Sequence, residues 1–116
     1  MRRALKVLVI DVGGSHIKLR LSGQRVPTKI ASGPTMTAKQ MVRAVRDAAI
    51  GWKFDVVSIG FPGPVLHGHP VAEPMHPGSG WVGFNFRRAF GGPVKVVNDA
   101  AMQALGSCRG GRMLFL

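Results

Sequence analysis

Residues 7–18 read VLVIDVGGSHIK, and the fold turns on how this stretch is parsed. Residues 5–10 form an apolar run rich in Val and Ile, the pattern of a strand buried on both faces. Asp11 and the pair Gly13-Gly14 bound it. Residues 16–21 then alternate, with Ile17, Leu19 and Leu21 on one side and His16, Lys18 and Arg20 on the other. That period of two belongs to a half-buried strand. Two strands joined by a short glycine turn predict a β-hairpin at the start of the chain.

Working outward, Ser22-Gly23 gives a second turn, and residues 25–31 predict a third, weaker strand. Pro27 cannot donate to a ladder, so this strand belongs at a sheet edge. Thr37 followed by Gln40 matches a capping box and starts a helix over 38–50. Its apolar side is Met41, Val42, Val45, Ala48, Ala49 and Trp52. Residues 55–60 (DVVSIG) predict another buried strand, which runs into Phe61-Pro62-Gly63-Pro64. Residues 65–82 are dense in Gly, Pro and His and read as loop, with a short hairpin around Gly68. Residues 85–90 predict a short helix, stopped by Gly91-Gly92-Pro93. Residues 94–97 predict a strand, Asn98-Asp99 open a helix through Leu105 that Gly106 stops, and residues 112–116 start one more strand. An opening hairpin followed by βα crossovers predicts an α/β fold with a mixed sheet flanked by helices.

Length and composition bound the functions open to such a fold. At 116 residues the chain is one domain. Hydrophobic residues make up 46 %, too many for a disordered chain. The 16 Gly and 8 Pro follow no repeat, which excludes collagen. A single cysteine, Cys108, excludes an internal disulfide and suits a reducing compartment, hence a cytoplasmic location. No apolar run reaches the ~18 residues that a membrane span needs. The opening MRRALKVLVIDVGG is too short in its apolar part for a signal peptide, and Asp11 interrupts it. Sixteen Lys and Arg against five Asp and Glu give a net charge of +11. Such a surface attracts polyanions, among them nucleic acid, polyphosphate, nucleotides and anionic lipid. It equally describes a solvated basic surface with no partner, and no run of five bases marks a binding tract.

With so few acids, their placement is informative. Asp11 and Asp99 each sit where an apolar strand ends, and the Phe-Pro-Gly-Pro loop ends a third strand. In open α/β sheets ligands bind beyond the carboxyl ends of the strands. If these three strands are parallel, Asp11, Gly63 and Asp99 converge on one cleft. In Asp11-Val12-Gly13-Gly14-Ser15 the glycines would admit a phosphate to backbone N–H groups, Ser15 would add a hydroxyl, and Asp11 would hold Mg²⁺. Lys18 lies on the strand leaving that turn. The plain alternative is an ordinary hairpin, because Asp and Gly are turn formers. Asp99 reads as a general base for a hydroxyl attacking phosphorus, with Asn98 bonding the substrate. Here the plain alternative is a helix N-cap. His67, His69 and His76 lack the acids or cysteines that would complete a zinc site. Cys108 has no base partner nearby in sequence and reads as structural, and Trp81, Phe84 and Phe86 read as core or cleft wall.

Taken together and in order, these pieces resemble the ROK family of sugar kinases, within the actin/hexokinase-like (ribonuclease H-like) superfamily. VLVIDVGGSHIK resembles the family's first phosphate motif. SIGFPGPV (58–65) resembles its sugar-side loop, and GGPVKVVNDAAMQALG (91–106) the segment with the catalytic Asp. The form IDVGGSHIK, with FPGPVLHG and the Gly-Trp before the Asn-Asp pair, is most similar to polyphosphate glucokinases. By this resemblance Asp11, Gly13, Gly14, Ser15 and Lys18 bind phosphate and Mg²⁺, with Ser15 standing where Thr is common. Pro62 and Gly63 line the sugar pocket, Asn98 binds the sugar and Asp99 is the catalytic base. The implied reaction carries a phosphoryl group from ATP or polyphosphate to the 6-hydroxyl of glucose or a related hexose. The family's homodimer is a further expectation; specific nucleic-acid binding and membrane insertion are not.

The resemblance covers nearly all of residues 1–116 as an N-terminal half that ends before the family's second phosphate loop. The C-terminal domain, the later sugar-binding acid and His residues and any zinc motif are then expected to be absent, and the chain alone to be weakly active or inactive. Two other readings stand beside it: a fragment without activity, and a small basic nucleic-acid-binding protein that rests on charge alone.

Overall fold

The computed structural model describes residues 5–33, 35–74 and 80–98. The hairpin is present. Strand β1 (Val7–Val12) pairs antiparallel with β2 (His16–Leu21), from Leu8 opposite Leu21 to Val12 opposite Ile17. β1 runs two residues further than the apolar run implied, through Asp11. It does so because Asp11 has ladder neighbours on both sides, Lys18 in β2 and Gly60 in the strand beyond. The third strand, β3 (Thr28–Ala31), is shorter than 25–31. Pro27 has no N–H for the ladder and marks where pairing begins. As expected, β3 is an edge strand.

Helix α1 (Ala38–Ala48) begins with the reciprocal capping box: the Gln40 amide donates to Thr37 Oγ1 at 3.2 Å, and the Thr37 amide donates to Gln40 Oε1 at 2.9 Å. The helix ends two residues earlier than expected, with Ala49 as its C-cap. Ala38, Met41, Val42, Val45 and Ala49 form its buried side, whereas Ala48 is exposed.

Strand β4 (Val56–Phe61) lies parallel to β1, and the loop after it contains the small ribbon of β5 (Val65–Leu66) and β6 (His69–Pro70). The ribbon turns at His67 and Gly68, both at positive φ, the backbone that tight hairpins require. Helix α2 (Phe86–Phe90) is capped by Asn85 and stopped by Gly91 in the left-handed conformation. Strand β7 (Val94–Asn98) pairs parallel with β4. The helix expected from Asn98-Asp99 and the strand expected at 112–116 lie outside the described residues, apart from Asn98, which ends β7.

The main sheet has the order β3-β2-β1-β4-β7 and is mixed, as expected. Alternation sorts the residues of β1 and β2, whereas β4 is buried on both faces. Leu8, Ile10, Val12, Ile17, Leu19, Val57, Ile59, Phe61 and Val96 form one core with α1, Trp81, Phe86 and Phe90. Each fully buried aliphatic side chain of this kind stabilises by roughly 1.5–3 kcal/mol over its exposed state. The opposite face carries Val9 and Asp11, which are half-buried, and Lys18, Arg20 and Lys29, which are exposed.

Candidate functional site at the carboxyl end of the sheet

The three strands whose ends carry the motifs are parallel: β1, β4 and β7. Their carboxyl ends therefore lie along one edge of the fold, which satisfies the condition for a shared cleft. In register, Asp11 lies beside Gly60 and Phe61 beside Asn98.

The phosphate-type turn is tight. The Gly13 amide donates to the His16 carbonyl at 3.0 Å. A Cβ on Gly13 would lie 2.8 Å from that carbonyl oxygen, so glycine is required here by close approach and not by a positive φ. Ser32, just after β3, braces the turn twice. Its hydroxyl donates to the Gly13 carbonyl and its amide to the Ser15 carbonyl, both at 3.0 Å. The Ser15 hydroxyl lies 3.2 Å from His16 Nδ1. Asp11, Val12, Gly13, Ser15, His16, Lys18 and Lys29 line an open depression of ≈ 350 Å³. Gly14 is exposed in the same turn. Asp11, Lys18 and Lys29 are cross-strand neighbours in one row over three strands.

This set can bind an anion. The lysines supply charge, and the turn supplies the Ser15 hydroxyl, while the Gly13 amide is engaged by the His16 carbonyl. A single carboxylate, Asp11, is the donor set that Mg²⁺ takes when phosphate oxygens and water complete its octahedron. Among the described residues no three His, Cys, Asp or Glu side chains gather as a metal-ligand cluster. His67 and His69 lie on the exposed ribbon, and His76 lies outside the described residues.

The ends of β4 and β7 carry the Phe-Pro-Gly loop and Asn98. The Asn98 side chain donates from Nδ2 to the Gly63 carbonyl at 2.6 Å, tying the end of β7 to the Phe-Pro-Gly loop. Gly63 is again a close-approach glycine, since a Cβ there would meet Phe61 Cε2 at 2.9 Å. Pro62 and Gly63 are half-buried. Behind them stand Phe61 and Trp81, both fully buried, with ring centroids 5.7 Å apart. The reading of Trp81 and Phe86 as core or cleft wall is therefore correct. Asp99, the expected base, lies outside the described residues.

Sequence reasoning missed Lys29, Ser32 and Glu73. The Glu73 carboxylate accepts from the backbone amides of Trp81 and Val82. Lys29 and Ser32 could have been found only by laying 28–32 antiparallel against 15–19, because no local motif includes them.

The sequence matches no protein-family model and no curated protein. Solved structures do match. A ROK family protein from Streptococcus pneumoniae, in complex with sucrose, aligns over 89 % of this chain and 37 % of its own, with TM-score 0.71 and 20 % identity. ROK hexokinase from Thermus thermophilus aligns over 88 % and 38 %, with TM-score 0.67 and 26 % identity. A Listeria monocytogenes protein provisionally assigned as an N-acetylmannosamine kinase aligns over 97 % and 41 %, with TM-score 0.73 and 17 % identity. The chain thus has the actin/hexokinase-like mixed-sheet fold of the ROK sugar kinases. It spans about two-fifths of the length of these structural neighbours.

Proposed function

We propose that this chain forms the sugar-side lobe of a glucokinase-type phosphotransferase of the ROK family. The reaction moves a phosphoryl group from polyphosphate or ATP to the 6-hydroxyl of glucose or a related hexose. The observation that carries this reading is the Asn98–Gly63 contact at 2.6 Å, at the same sheet end as the braced glycine turn. What supports the reading is that an amide, a group suited to sugar hydroxyls, ends a strand in the same parallel run as the strand leading into the glycine turn.

In this reading Gly13, Gly14 and Ser15 cradle the donor phosphates, and Lys18 offsets their charge. Asp11 would hold Mg²⁺ against the donor, where the ion supplies charge neutralisation. Asn98, Pro62 and Gly63 orient the hexose. Asp99 takes the proton of the 6-hydroxyl as its oxygen attacks phosphorus. The new O–P bond forms while the bridging P–O bond breaks, and the leaving group is ADP or a polyphosphate shorter by one unit. Positioning and electrostatics supply most of such a rate enhancement. The phenyl and indole of Phe61 and Trp81 close the floor of the sugar side against water. Polyphosphate as donor is supported by the +11 charge and by the FPGPVLHG form of the sugar loop.

The test is glucose 6-phosphate formation with ATP and with polyphosphate by this chain completed to the length of its structural neighbours, as wild type and as Asp99→Asn. Loss of the base should slow transfer about 10²–10⁴-fold. A variant rate within a few-fold of the wild type would remove Asp99 from the mechanism.

A further inference from the structure

We propose that Glu73 is a positioning residue for the sugar side: its carboxylate fixes Trp81 and, through Trp81, Phe61 and Gly63, sets the Asn98 amide. That the amide binds a hexose rests on the function proposed above. The coupling itself rests on contacts alone.

Glu73 Oε1 accepts from the Trp81 amide at 2.8 Å and Oε2 from the Val82 amide at 3.0 Å. Both oxygens of one carboxylate thus grip two consecutive peptide groups. Bonds to an ionised acceptor are roughly twice as strong as neutral ones. The indole is held from its other end, where Nε1 donates to the Met36 carbonyl at 3.3 Å. With backbone and ring both pinned, Trp81 has one orientation. Its ring packs on Phe61 at 5.7 Å and on Phe86 at 6.3 Å. Phe61 in turn lies beside Gly63, its ring filling the space a Cβ would take, with a ring carbon 2.9 Å from that position. The Gly63 carbonyl accepts the Asn98 side chain at 2.6 Å. A shift of Trp81 must be absorbed along this series, because close-packed interiors transmit small displacements.

Glu73 is exposed, whereas Trp81 and Phe61 are buried and Gly63 and Asn98 are half-buried. An ordinary cap would affect stability only. A positioning residue acts selectively on hexose affinity and leaves the phosphate turn, on β1 and β2, untouched.

The experiment uses the full chain, ¹⁵N-labelled, in a Trp52→Phe background so that Trp81 alone emits. Glu73→Ala and Glu73→Gln are compared with that parent. The probes are glucose and tripolyphosphate. In Glu73→Ala, glucose affinity should fall at least tenfold while tripolyphosphate affinity stays within twofold. Exchange of the Asn98 side-chain amide should quicken at least tenfold, and Trp81 emission should shift to the red. Glu73→Gln keeps the size and one carbonyl acceptor and should fall between. It also decides the matter if Glu73→Ala does not fold. Unchanged Asn98 exchange in a folded variant overturns the proposal, and so does an equal loss of glucose and tripolyphosphate affinity. A parent that binds no glucose removes Asn98 as a hexose ligand of this chain, and Asn98 exchange then still accepts or rejects the coupling.

Discussion

Two glycines of the candidate site, Gly13 and Gly63, are held by close approach, and neither has a positive φ. At Gly13 an added Cβ would meet the backbone oxygen of His16 at 2.8 Å, an atom that cannot rotate away. Gly13→Ala must therefore open the turn. We expect a stability loss of about 1–3 kcal/mol, the usual range for overpacking, in urea unfolding. Tripolyphosphate binding by calorimetry should be lost with it, whereas glucose binding should survive. At Gly63 the clash is with a side chain, Phe61, at 2.9 Å. Gly63→Ala should have the opposite selectivity, weakening glucose and sparing tripolyphosphate. If both variants weakened both ligands alike, the division of the site into a phosphate half and a sugar half would be wrong. The sequence made these residues visible as turn formers. It could not say that close approach is what demands glycine, because the opposing atom comes from three residues on in one case and from an aromatic ring in the other.

Elements with local signals were legible, and their limits were not. Thr37 and Gln40 announce the start of α1, and both reciprocal bonds exist. Thr37→Ala should cost about 1 kcal/mol, seen as a lower urea midpoint with unchanged slope. An unchanged midpoint would mean that the cap is not formed in solution. Gly68 announced the β5–β6 ribbon, and Gly91 the end of α2. The apolar run predicts a strand that ends before Asp11, since a charge breaks the run. What extends β1 is pairing with Lys18 and Gly60, and the latter is remote in sequence. Ser32 and Glu73 escaped for the same reason. Their partners stand 17 to 19 and 8 to 9 residues away, beyond the reach of any helix or strand period.

For the molecule as a whole, the parallel run of β1, β4 and β7 turns three separate motifs into one edge. The sequence makes convergence of Asp11, Gly63 and Asp99 conditional on parallel strands; β1, β4 and β7 are parallel, and Asp99 lies outside the described residues. The charge of +11 is a separate matter. It should give weak, non-specific attraction to nucleic acid. Binding of a duplex oligonucleotide, followed by fluorescence anisotropy, should weaken at least about tenfold between 50 and 200 mM salt and show no sequence preference. Tight, sequence-selective binding at the higher salt would point to a nucleic-acid function instead. The most direct measurement of the central claim is a crystal structure of the protein with glucose and a non-hydrolysable phosphoryl donor. The terminal phosphate should lie on the Gly13–Ser15 turn, with the glucose 6-hydroxyl about 3 Å from the Asp99 carboxylate, the reach of a general base. Glucose bound elsewhere, or Asp11 and Asp99 facing separate pockets, would contradict it.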